Sequence, residues 1–170
     1  MRIRITTARG EGHTQRAALA SALRAAGLAS LPVARHAALI PEHSFVHRGS
    51  TAAGTPGQRR RCVVVAYRIE DRPGRPVWAG LGWAVTESTG RGRFARRQGS
   101  VKRRVVFDLH VSLERWSQRQ TEACSPIQTE IVGGVCDGRP ICVLVAAVCE
   151  QPERVGARRA ARHSLIAEVS

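Results

Sequence analysis

The chain reads as an α+β domain, an antiparallel sheet of about five to six strands carrying an N-terminal and a C-terminal helix. Three observations predict this. Stretches of helical character lie near both ends, alternating or β-branched runs fill the middle, and the residues between those runs suit antiparallel reversal. At 170 residues, a single domain spanning 1–170 is expected, long enough to bury a core without help from metal or disulfide.

Taken in order, Arg2 to Thr7 alternates, with Ile3 and Ile5 on one face and Arg2, Arg4 and Thr6 on the other, as a half-buried strand does. Thr14 suits the N-cap of a helix over Gln15 to Ala26, where Leu19, Ala22, Leu23 and Ala26 recur at helical spacing and Gly27 provides the stop. Val33 to Ile40 reads as a short strand, and 49–58, rich in Gly, Ser, Thr and Pro, as a flexible loop. Cys62 to Ile69 and Val77 to Val85 read as strands of a hairpin closed by the turn residues Glu70 to Pro76. Gly80 and Gly82 face away from Val77, Ala79, Leu81, Trp83 and Val85, so a backbone or a ligand has room to approach there.

The segment 88–100 reads as a second flexible loop. Val101 to Leu113 then alternates, with Val105, Phe107, Leu109, Val111 and Leu113 inward and Lys102, Arg104, Asp108, His110, Ser112 and Glu114 outward, which predicts a strand with one wet face. Asp137-Gly138 suits a type I′ turn between Ile127 to Cys136 and Arg139 to Cys149, a second hairpin. Ile141 to Val148 is apolar on both faces and belongs centrally, under a helix. Pro152 to Val169, with Arg154, Arg158, Arg159 and Arg162, reads as the terminal helix.

The apolar runs fall short of the roughly 18 residues that a membrane span needs. The charged start Met1-Arg2-Ile3-Arg4 lacks the unbroken apolar core of a secretory signal, so a cytoplasmic location is expected. Cys62, Cys124, Cys136, Cys142 and Cys149 are odd in number and follow no disulfide-scaffold spacing, which predicts reduced, buried thiols.

Charge is the outlying property: 27 Lys and Arg against 13 Asp and Glu give a formal +14, a balance that favours a polyanionic partner. Arg91, Arg93, Arg96, Arg97, Lys102, Arg103 and Arg104 form an acid-free basic run interleaved with Gly90, Gly92 and Gly99. Arginine offers a planar fork of donors to phosphate oxygens. The expectation is therefore a nucleic-acid-binding protein, RNA or DNA, making largely sequence-independent phosphate contacts, with Arg59, Arg60 and Arg61 extending the patch and a duplex slightly preferred over a single strand. An acidic protein partner, bound by a basic adaptor or inhibitor, is the other binding class that such a charge allows.

Enzymatic activity is less expected than binding. Leu109-His110-Val111-Ser112-Leu113 is similar to the His-x-Ser/Thr-hydrophobic element of the two-histidine phosphoesterases, and that resemblance implies acid–base catalysis by His110 on RNA ends or cyclic phosphates. The family carries a second copy of the element, and the nearest candidate, around His36, lacks the hydroxyl residue. His43 and His47 stand four apart between Pro41 and Gly49, and the cysteines lack zinc-ligand spacing, so no metal site is expected. No cofactor is expected either: the sequence has no Walker or dinucleotide loop and no nucleophile elbow.

Overall fold

Ile141 to Cys149 is apolar at every position, a pattern suited to a strand covered on both faces, and the structure uses it that way. The structure, a computed structural model, describes residues 1–29, 38–49 and 59–151, leaving aside the side chains of 59–63 and 150–151. Among these residues two helices and eight strands follow in the order β1 (Arg2–Glu11), α1 (Gln15–Ala25), β2 (Leu39–Ile40), β3 (Phe45–Arg48), β4 (Arg59–Glu70), β5 (Pro76–Val85), β6 (Gly92–Gly99), α2 (Lys102–Ser117), β7 (Gln128–Val135) and β8 (Ile141–Gln151). The class is α+β, but the strands form two four-stranded sheets in place of one sheet of five or six. Their orders are β3-β1-β8-β4 and β2-β6-β5-β7.

The sheets stack face to face. Ile3, Ile5, Val64, Ala66, Val143, Val145 and Ala147 from the first meet Val77, Ala79, Leu81, Trp83, Phe94 and Val132 from the second in one apolar cluster. A helix covers each outer face, which makes four layers. Helix α1 lays Ala18 and Ala22 on Ala8, Cys142, Leu144 and Ala146. Its approach is close enough that a Cβ on Gly10 would lie 2.1 Å from the Ala22 nitrogen. Thr14 caps α1 as expected, its Oγ1 accepting from the Ala17 N–H at 3.1 Å. Gly27 follows at φ +66°.

Helix α2 corrects the strand expected over Val101 to Leu113. Val105, Leu109 and Leu113 are its buried residues, and each contributes about 1.5–3 kcal/mol by leaving water. They land on Gly80 and Gly82, where a Cβ would come within 2.9 Å of Leu109 and of Leu113 respectively. The gap expected beside these glycines is thus filled by the protein's own helix.

Both expected hairpins are corrected too. β4 and β5 reverse direction but enter different sheets, as do β7 and β8. β5 pairs with β6 and β7, while β8 lies between β1 and β4. Of the segment 88–100 read as a loop, residues 92–99 form β6. The expected terminal helix over 152–169 and residues 50–58 of the other loop lie outside the described residues, as does most of Val33 to Ile40. Cys124, Cys136, Cys142 and Cys149 are free thiols, and burial pushes the Cys142 thiol up from 9.0 to about 12. No helix among the described residues is long and apolar enough to cross a membrane.

Candidate functional site

The stacked sheets leave two open sides, and they differ in charge. On one, Arg48 of β3 reaches Glu130 of β7, Nε to Oε2 at 2.7 Å, with its guanidinium 5.5 Å from the Trp83 ring centroid. On the other, β4 and the latter part of β6 are edge strands among the described residues, since β4 pairs with β8 and β2 reaches β6 only at Gly92 and Arg93. A groove of about 680 Å³ runs between them, lined by residues 65–69 of β4 and 96–98 of β6.

Strand alternation sets which side chains enter that groove. Val64 and Ala66 point between the sheets, so Arg68 does as well. Phe94 points between them, so Arg96 and Gln98 follow. Arg97 takes the opposite face, where its guanidinium donates to the Ser112 hydroxyl on α2 and to the Arg96 carbonyl. The Arg68 Nε is buried with no hydrogen-bond partner among the described residues. None of the described carboxylates lies within ion-pair distance of Arg68 or Arg96.

The residues singled out in the sequence scatter over this frame. Arg91 lies in the β5–β6 turn, and Arg93, Arg96 and Arg97 are on β6. Lys102, Arg103 and Arg104 form the first turn of α2. There Lys102 stands over Trp78, 5.3 Å from its centroid, and Arg104 pairs with Asp108 and stands over Phe107. Arg59, Arg60 and Arg61 open β4, their side chains outside the description. His110 is on α2 beside Phe107 and Glu114 along a shallow outer groove. It therefore lacks the strand setting that the phosphoesterase resemblance implied. Arg68 is not legible as a site residue in the sequence, because a single arginine in a β-branched run carries no signal of its own.

A family model described as pyruvoyl-dependent arginine decarboxylase matches residues 2–133. The chain belongs to this family. No curated protein matches the sequence. The match corrects the expected nucleic-acid-binding function, because the family is described by arginine decarboxylation and not by nucleic-acid binding. That expectation rests on net charge, which speaks to non-specific association and not to a fold's chemistry. The match ends within β7, so β8, central in its sheet, lies beyond it.

The name of the pyruvoyl-dependent arginine decarboxylase family implies two requirements that can be compared with these residues. One is an acidic seat for a guanidinium. Among the described residues no Asp or Glu is buried. Glu130 and Asp108 already hold Arg48 and Arg104, Asp71 accepts from Gln15, Glu122 accepts from Ser88, Glu70 accepts from the Arg72 N–H, and Glu11, Glu42, Glu87, Glu114 and Asp137 are exposed. The other is a serine, since a polypeptide makes a pyruvoyl cap from one of its own. Ser21, Ser112 and Ser117 are on helices, Ser88 and Ser125 are hydrogen-bonded, and Ser100 is exposed. Ser44 comes nearest: it follows His43 at φ +56°, and the His43 carbonyl accepts from the Met1 nitrogen at 2.9 Å. Its hydroxyl, however, is buried with no hydrogen-bond partner, so neither a proton acceptor nor a substrate meets it. Ser30, Ser50, Ser164 and Ser170 lie outside the described residues. The described residues do not fit a pyruvoyl group or an arginine side chain.

Proposed function

We propose that this chain is a ligand-binding member of the family that does not decarboxylate arginine and is not cut into two chains. The observation that supports the reading is the unactivated, sealed hydroxyl of Ser44, the described serine that comes closest to the requirement. Making a pyruvoyl group needs the serine oxygen to attack the carbonyl carbon before it, so that the peptide bond breaks as an ester forms. Elimination then frees the preceding carboxylate, and one water displaces the nitrogen as ammonia. Each transfer needs a positioned base, and Ser44 has none within hydrogen-bond reach among the described residues.

Intact-mass spectrometry of the purified chain tests this directly. The expected result is one species at 18.5 kDa and no labelled carbon dioxide from L-arginine. A second reading, decarboxylation of arginine as the family's description names it, is favoured by the match over residues 2–133. Two fragments parted before a serine, together with carbon dioxide release, would establish it and overturn the proposal.

A further inference from the structure

The groove between β4 and β6 holds two cations that point at the same space and at no described acid. We propose that it is a binding site for the phosphate group of a small molecule, gripped by Arg68 and Arg96. The proposal deepens the ligand-binding reading by naming the ligand class.

Three features carry it. First, the Arg68 Nε is a buried donor without an acceptor. Buried donors are almost always satisfied, so the described residues leave the Arg68 guanidinium without the partner that a structural arginine has. Second, the like charges of Arg68 and Arg96 share one groove. A guanidinium stays charged under all ordinary conditions, so neither can relieve the repulsion by losing a proton. The opposite side of the same sandwich shows the resolved version of this problem, where Glu130 neutralises Arg48. Third, about 680 Å³ lies within the range of roughly 300–1,000 Å³ typical of small-molecule sites.

Charge selects among oxyanions. Two guanidiniums offer parallel pairs of N–H donors and a combined charge of +2. A phosphate monoester, at about −1.5 to −2 near neutral pH, matches both, whereas a carboxylate supplies a single negative charge and two oxygens.

The groove also opposes decarboxylation within it. A carboxylate held by two guanidiniums is stabilised in the ground state and loses that stabilisation as its charge moves into the departing carbon dioxide, which raises the barrier.

The test titrates the full chain with inorganic phosphate at constant ionic strength, following heat release and the thermal midpoint, with acetate and chloride as comparison anions. Phosphate is expected to bind and raise the midpoint, acetate to bind at least tenfold more weakly, and chloride to do neither. Arg96→Met, at an exposed position, is expected to fold normally and weaken phosphate at least tenfold. Arg68→Met is expected to weaken it as much, and Arg16→Met on α1 to leave it unchanged. Equal weakening in Arg16→Met, unchanged affinity in Arg96→Met, or no phosphate binding by the wild-type chain overturns the proposal. A cut chain in the mass spectrum would refute the uncut reading while leaving these titrations to judge the groove.

Discussion

Replacing Arg68 by methionine is expected to make the unliganded protein more stable, a direction opposite to that of most substitutions at partly buried positions. The Nε in question is buried without an acceptor, and a donor left in that state costs about 1–3 kcal/mol. Methionine has a similar length and keeps the aliphatic contacts of the stem, so most of the packing survives. It also removes one of two like charges at the groove. Some loss of van der Waals fit offsets these gains, and a net of about 0.5–2 kcal/mol remains, equivalent to a midpoint rise of about 2–6 °C for a chain of this size. Thermal unfolding by circular dichroism in chloride buffer, free of polyvalent anions, reads it. Phosphate at ten times its wild-type dissociation constant then adds about 1.4 kcal/mol to the wild-type protein and at most about 0.4 kcal/mol to Arg68→Met, so the gap between them narrows. A fall in the midpoint on substitution would refute the reasoning, since it would make Arg68 a structural arginine whose donor is already satisfied.

Leu109→Ala is expected to cost about 2–5 kcal/mol in urea unfolding, because Leu109 is fully buried between α2 and β5 and its loss opens a cavity over Gly80. Gly133→Ala is expected to cost about 1–3 kcal/mol by overpacking, since the new methyl would meet the rigid Trp78 indole at 2.1 Å; the cost should shrink in a Trp78→Leu background, which a double-mutant cycle measures. For Cys142 the folded thiol is raised from 9.0 to about 12, so the native state binds more protons than the unfolded chain between those values. Stability should therefore be fully present below pH 9 and fall as pH rises toward 12, by up to about 1.4 kcal/mol per unit. Cys142→Ala should flatten that slope in urea titrations taken at a series of alkaline pH values.

Where covering is complete or a cap is local, the sequence was informative. β8 announces itself by being apolar at every position, and α1 by Thr14 in front and Gly27 behind. α2 was misread because Val105, Leu109 and Leu113 are spaced by four, and four belongs both to a period of two and to a period near 3.6. Phe107 and Val111 completed the false alternation, and Phe107 proves to be exposed. The start of α2 hid the helix further: Val101 makes no side-chain cap bond, and Lys102 to Arg104 place cations where the helix dipole prefers acids. The two false hairpins have a different cause. Turn residues at 71–75 and at Asp137-Gly138 dictate that the chain reverses. Whether the returning strand pairs with its predecessor or crosses to the facing sheet depends on which other strands compete for that edge. β5 is claimed by β6 and β7, and β8 by β1 and β4.

The same limit separates total charge from function. A list of arginines does not distinguish a cation that serves the fold from one that waits for a ligand, and in this protein many serve the fold. Arg48 closes the β3–β7 side on Glu130 and Trp83, Arg97 ties β6 to Ser112 of α2, Lys102 covers Trp78, and Arg104 sits between Asp108 and Phe107. Each therefore spends its charge or its stem on a neighbour, and the basic run from Arg91 to Arg104 is distributed over a turn, two faces of a strand and a helix end. Arg68 and Arg96 differ because they meet in a groove where no described group answers them. Arg68 comes from β4 and Arg96 from β6, in different sheets, so only the stacking of the two sheets brings the pair together. The groove's selectivity is thus a property of the tertiary structure that neither strand carries alone.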